Sequence, residues 1–196
     1  MISRRLQILL VVLVVAAFGL GYFALRLKRQ AEAVRSLGFD TRPIEPPAAG
    51  KSEPATLYVA DDRDGSIRER QLSLALPDSP PSRALALLRA LSSAYRETSS
   101  THQLGQGADI RSVYFVTDNL AVIDTNAEFA DRHRAGALVE ELTVVSFIET
   151  LTQAFPKLTQ VKILVDGRER ETLAGHVDLK NVFDVNSIHQ LAREFK

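Results

Sequence analysis

The chain of 196 residues contains no cysteine and no tryptophan, and no acidic residue precedes Glu32. Without cysteine there are no disulfides, no thiol chemistry and no cysteine-ligated zinc. An N-terminal lipidated cysteine is excluded as well, so membrane attachment has to come from the polypeptide itself. Without tryptophan, a platform for stacking sugars is poorly supplied. A surplus of positive charge is also missing where nucleic acid would need it. Arg4, Arg5, Arg26, Lys28 and Arg29 flank the first apolar run, leaving 19 basic against 24 acidic residues beyond it, a net of −5. A domain that neutralises phosphates leans the other way, so nucleic acid is not an expected partner.

What is present first is a long apolar segment. After an N-terminal tail at 1–5, residues 6–25 (LQILLVVLVVAAFGLGYFAL) carry no charge. Twenty residues at about 1.5 Å each span about 30 Å, one hydrocarbon core. Tyr22 and Phe23 fall near one end, where rings favour the headgroup region. The spacing predicts a single-pass transmembrane anchor. Ala17-Phe18-Gly19 fits a small-x-small cleavage pattern, but the apolar run continues past it, which favours an uncleaved anchor. Basic residues flank both ends, so charge alone does not orient the helix. Ala17 and Gly21 form a small-xxx-small pair of the kind that lets two helices approach.

Residues 26–54 read as a juxtamembrane helix followed by a proline-rich spacer, TRPIEPPAAGKSEP, which holds the following domain off the bilayer. From Ala55 the periodicity becomes that of a mixed domain, extending to about 186, with a C-terminal tail at 187–196. Strands are expected at Thr56–Ala60 and Ile67–Leu76 around an Asp61–Gly65 turn, at Ile110–Val116 and Leu120–Thr125, and at Thr159–Val165 before an Asp166-Gly167 turn. A short return strand is expected near Thr172-Leu173 and Val177–Leu179. Ser79-Pro80 is an N-cap followed by proline at the first helical position, with Ala84, Leu87, Leu88, Leu91, Ala94 and Tyr95 on one face. Gly136 to Phe155 forms the longest helix, apolar over a broad stripe and ended by Pro156. The tail from Ser187 to Phe195 is expected to be a short helix. This order predicts an α+β fold: one mixed or antiparallel sheet with two helices on one face, preceded by the transmembrane helix.

No convergent catalytic or metal-binding set appears, so no catalytic, cofactor or metal residues are assigned, and no enzyme activity or small-molecule substrate is expected. Asp62-x-Asp64-Gly65 lacks calcium ligands at the flanking loop positions and reads as a turn. His176 and Asp178, two apart, share a face if the segment is a strand. Without a third ligand, structural hydrogen bonding is the expected role for His176. His102, His133 and His189 show no ligand spacing. Ser112, Ser146 and Ser187 lack a nucleophile-elbow context, and Gly105-Gln106-Gly107 follows no strand. Asp124 and Glu128 are the remote candidates for a paired-carboxylate hydrolase.

The ordered series SFIETLTQAFP (146–156), VKILVDG (161–167) and ETLAGHVDL (171–179) resembles the GerMN domain family of sporulation and spore germination. AVIDTNAEF (121–129) and Leu57-Tyr58 with Asp61 add to the likeness. Two departures stand beside it. The loop 98–107 lacks the Gly-Pro and Pro-Gly-Thr punctuation of the family, and many relatives carry a lipidated cysteine where this chain has a helix. The resemblance implies a non-catalytic domain related to ring-building modules of envelope assemblies. Its expected partners are the membrane, other envelope proteins or further copies of itself. The second expectation is a module that binds cell-wall or polysaccharide material.

Overall fold

The computed structural model describes residues 52–195, so the expected anchor at 6–25 and most of the juxtamembrane segment and spacer lie outside the described residues. Among the described residues no helix is long and apolar enough to cross a membrane.

The chain enters through a hairpin of β1 (Ser52–Asp61) and β2 (Ser66–Ala75), closed by the Asp61–Gly65 turn, where Gly65 takes a φ of 69°. Helix α1 (Pro80–Arg96) starts where the sequence places it: Ser79 is the N-cap, its hydroxyl facing the Ser82 N–H, and Pro80 occupies the first turn. Strands β3 (Ile110–Thr117) and β4 (Leu120–Thr125) form a second hairpin. A five-residue helix, α2 (Ala127–Asp131), follows, capped by the Asn126 side chain on the Phe129 N–H. Helix α3 (Ala137–Ala154) leads to β5 (Gln160–Val165). A two-residue strand, β6 (Phe183–Asp184), precedes α4 (Val185–Glu194), whose N-cap is Asp184.

The α+β class is as expected, but the sheet is not single. The hairpin β1-β2 stands alone, and the other strands form a four-stranded mixed sheet in the order β3-β4-β5-β6. Strands β4 and β5 are parallel because α2 and α3 carry the chain back between them. The reason β1 does not join the larger sheet lies at its free edge. There the Tyr58 N–H donates to Thr150 Oγ1 at 3.0 Å, and the Ala60 N–H donates to the Tyr95 hydroxyl at 3.0 Å. Side-chain oxygens from two helices satisfy donors that a neighbouring strand would otherwise take.

Four helices are present among the described residues, and the expected pair does not simply share one sheet face. Helix α1 packs on β3 and β1, whereas α3 packs on β1, α1 and α4. Every residue from Leu142 to Thr152 in α3 is buried, which is why its apolar residues run nearly all round. Phe147 sits at the centre, edge-on to Phe129 and stacked near Tyr95. Val113, Ile123 and Ile163 line up across β3, β4 and β5 and are all buried.

The expected return strand is a correction of another kind. Thr172 and Asp178 form only an isolated bridge, and the strand that pairs with β5 is Phe183–Asp184. The segment between them is held by a buried carboxylate instead of a ladder.

Candidate functional site

Two buried polar clusters hang on the N-terminal half of α3. The first centres on Glu140, which is fully buried one turn into the helix. Its Oε2 accepts from the N–H groups of Ala174 (3.1 Å), His176 (3.0 Å) and Val177 (2.9 Å). Its Oε1 takes the His176 ring Nδ1 at 2.8 Å and the Gly136 N–H at 3.2 Å. Burial disfavours the charged carboxylate. The Val177 N–H, the His176 ring and the Ala174 and His176 N–H groups outweigh that and bring its pKa down to about 2. A carboxylate with this many donors behaves as a staple between helix and loop. Gly175, at a φ of 122°, lets the loop wrap around it.

The second cluster is a hydrogen-bonded chain across four segments. His102, with no exposed surface, places Nδ1 2.6 Å from Asp62 Oδ1 and Nε2 2.9 Å from Thr143 Oγ1. His133 places Nε2 2.7 Å from the same hydroxyl and Nδ1 2.8 Å from the Arg134 carbonyl. Thr143 has one proton and faces two imidazole nitrogens, so at least one ring must donate to it. Burial, opposed by the Arg134 carbonyl, pushes the His133 pKa down and keeps that ring neutral, with its proton on Nδ1. The Val139 carbonyl, 3.0 Å from the Thr143 hydroxyl, competes for its proton, but the bare Nε2 of His133 is the nearer acceptor. Thr143 then donates to His133 and accepts from His102 Nε2, while His102 Nδ1 faces Asp62 Oδ1. Arg134 Nη1 lies 3.1 Å from Asp62 Oδ2, an ion contact without hydrogen-bond alignment, since that oxygen has no hydrogen-bond partner.

The other carboxylates of the Asp61–Gly65 turn are also engaged. Asp61 binds Arg63 at 2.8 Å and the Thr101 hydroxyl at 2.7 Å, with its pKa well below the usual range because those donors favour the charge. Asp64 takes the Ser66 hydroxyl at 2.6 Å and pairs with Arg68. The turn reading holds for this segment. Most candidates weighed from the sequence have a structural partner; Ser112 sits in β3 opposite Asp124, and its side chain has no hydrogen-bond partner among the described residues. His176 binds Glu140, whereas Asp178 accepts from the Lys180 N–H and Asn181 Nδ2, so the two do not form an acid–base pair. Asp124 accepts from the Gly167 N–H at 2.7 Å and holds the Asp166-Gly167 turn, while Glu128 lies against Gly107 at the start of α2. Ser146 donates to the Thr143 carbonyl inside α3, and Ser187 donates to its own helix cap, Asp184. The Gly105–Gly107 loop is tied down by Arg132, which donates to the Gln106 carbonyl at 3.2 Å.

Sequence spacing missed the roles of His102 and His133, which look like loop residues. The usable signal was on their partner helix: Glu140, Thr143, Ser146 and Thr150 recur at helical spacing on an element whose other buried residues are mostly apolar. A buried polar stripe of that kind has to meet polar partners.

Outside these clusters, an apolar groove of about 360 Å³ is lined by Pro80, Phe115, Ala154, Phe155 and Pro156, with Asp118 and Lys157 at its rim. It is wide open. Among the described residues no group of three His, Asp or Glu side chains is placed to hold a metal ion.

A hairpin docked on helices, a mixed sheet and a stapled C-terminal loop define a GerMN-type domain. The chain belongs to the Germane family, described as sporulation and spore germination, whose profile matches residues 56–171. Solved structures are similar to it, among them the following three. The tandem GerMN domains of the sporulation protein GerM from Bacillus subtilis share 19% identity at a TM-score of 0.52, covering 70% of this chain and 48% of that one. The first GerMN domain of the same protein shares 21% identity at a TM-score of 0.45, covering 65% and 93%. A lipoprotein candidate from Clostridium perfringens shares 22% identity at a TM-score of 0.49, covering 76% and 97%. At these identities the likeness to GerM is one of fold, and this chain spans about half of the tandem. None of the curated proteins matches the chain by sequence.

Proposed function

We propose that this chain is a membrane-anchored, non-catalytic assembly module of a bacterial envelope complex of the sporulation or secretion type. Residues 6–25 serve as its single-pass anchor, 26–54 as its spacer, and the domain at 55–186 stands on the extracytoplasmic side. The observation that carries this reading is the state of the interior. The buried ionisable side chains Asp62, His102, His133, Glu140 and Glu149 are each bonded to another protein group, tying loops and α4 to α3. Side chains engaged in this way hold the fold together, which favours contact between surfaces as its output.

Membership of a sporulation and spore germination family supports the envelope setting. The polysaccharide-binding alternative draws less support, because Tyr95, Phe129 and Phe147 pack on one another inside the core and leave few rings for a sugar platform. The test is copurification of the detergent-extracted full-length chain, in parallel with a pull-down on isolated wall material. Stoichiometric protein partners or further copies of the chain are expected. Retention on wall material with no protein companion would favour the alternative.

A further inference from the structure

The domain has several strand edges, and all but one are guarded. The free edge of β1 is closed by the Thr150 and Tyr95 hydroxyls. On the outer edge of β2 the side chains of Arg68, Glu69 and Arg70 are exposed, and the Ile67 N–H is taken by the Phe195 carbonyl at 2.7 Å. At the far side of the mixed sheet β6 is only two residues long, and Lys162 beside it is drawn down onto the Leu179 carbonyl at 3.1 Å. Short strands, edge charges and covering groups are the usual protections against unwanted pairing.

Strand β3 is the least protected: Arg111 and the Arg89 guanidinium guard its first two residues, and its pairing with β4 is irregular only near its two ends, so the stretch between lacks these protections. It is the other edge of the mixed sheet, and Ser112 to Thr117 (SVYFVT) contains no charge, proline or glycine. The Arg89 guanidinium reaches the Ile110 carbonyl at 3.2 Å, but beyond it the backbone of 112–116 receives no hydrogen bond from the described residues besides those of the β3-β4 ladder. Tyr114 is 45% exposed and Val116 63% exposed. A bare, uncharged run of β-branched and aromatic residues on an edge is a template for another strand.

We infer that β3 is a homotypic strand-addition surface, on which a second copy of this chain pairs antiparallel through its own β3. The inference rests on the assembly reading above and names one of its surfaces. The choice of a second copy follows from the strand's self-complementarity. An antiparallel pair related by a two-fold axis keeps outward residues opposite outward ones, so the axis passes through a residue. About Tyr114, the two tyrosines face each other, Ser112 meets Val116, and Val113 meets Phe115. Arg111, which pairs with Asp166 at 2.6 Å within its own copy, then comes beside the Thr117-Asp118 end of the other, adding a second opposite charge to the same guanidinium at each end of the pair. Asp118 is free to make this contact, being 90% exposed and only 3.7 Å from an equally solvated Lys157. The groove beside Phe115 and Phe155 opens next to the same strand and adds apolar surface for the incoming copy.

The absence of natural cysteine makes the test direct. Tyr114→Cys in the full-length chain, held in membranes or detergent micelles, should give a disulfide dimer on mild oxidation. Arg70→Cys, on the guarded edge of β2, should not. Val116→Lys changes a mostly exposed side chain and should leave the fold intact by circular dichroism, while weakening self-association by roughly tenfold or more. Dimer crosslinks at position 114, lost when Val116→Lys is combined with Tyr114→Cys, would establish the pairing. Crosslinks only at position 70 would overturn it while leaving assembly through another surface standing. A Tyr114→Cys chain that forms its disulfide with a different protein would also overturn it without touching the assembly reading. So would a native chain that stays monomeric when bound to a copurifying partner.

Discussion

Glu140 and His176 meet twice across 36 residues of sequence: the ring Nδ1 lies 2.8 Å from one carboxylate oxygen, and the backbone N–H donates to the other at 3.0 Å. Through this contact the most buried helix of the domain fixes a loop that has no strand ladder of its own. It also explains why a Gly-His segment follows the Asp166-Gly167 turn: glycine allows the wrap, and histidine supplies both a ring and a backbone donor.

Replacing Glu140 removes the acceptor for several donors at once. Glu140→Ala is expected to destabilise the domain by about 3–5 kcal/mol, since breaking a buried charge-assisted network leaves uncompensated polar groups. Glu140→Gln keeps the shape but turns one acceptor into a donor facing donors, and should cost about 2–3 kcal/mol. Urea unfolding of the extracted chain measures both, and hydrogen exchange of the Ala174, His176 and Val177 amides should rise first.

The same carboxylate sets an acid limit. Its pKa falls from 4.5 in the unfolded chain to about 2 in the fold, so the folded state holds the proton more weakly. The stabilisation is therefore complete above about pH 4.5 and is lost as pH falls from there through about 2. Asp61, also lowered, acts in the same direction. Unfolding free energy measured against pH should decline through this window, and Glu140→Gln should flatten the decline.

Thr143 is the hub on which two imidazoles converge. Thr143→Val keeps the volume and removes the hydroxyl, leaving the Nε2 atoms of His102 and His133 without a partner in a dry site. A loss of about 2–4 kcal/mol is expected, well beyond that of an ordinary Thr→Val change at a solvated helix position. Nitrogen-15 spectra of the native protein at neutral pH should show His133 neutral with its proton on Nδ1.

The isolation of the β1-β2 hairpin has its own test. Tyr95→Phe leaves the Ala60 N–H unsatisfied, and Thr150→Val does the same for Tyr58. Each should cost about 1–2 kcal/mol by thermal unfolding. The amide proton at position 60 or 58 should lose exchange protection in the corresponding variant only.

Much of this fold is legible locally. Ser79-Pro80 marks the start of α1, Gly136 and Pro156 bracket α3, and Asp166-Gly167 closes β5, because caps and turns are decided by a few neighbouring residues. What could not be read is decided across long separations. The hairpin stands apart because hydroxyls 35 and 92 residues away finish its edge. His102 and His133 look like surface loop residues until Thr143, 41 and 10 residues further on, is placed between them. The open edge of β3 was visible only as a strand, since nothing local tells which strand of a sheet ends up at its margin.

If the domain acts by touching other proteins, those contacts exist in the native membrane before any residue is changed. Crosslinking of the native full-length chain in its own membranes, read by gel and mass spectrometry, detects them directly. Bands heavier than the 21.6 kDa chain, containing further copies or defined protein partners, are the expected result. A chain that stays at 21.6 kDa at every crosslinker length and concentration would contradict it.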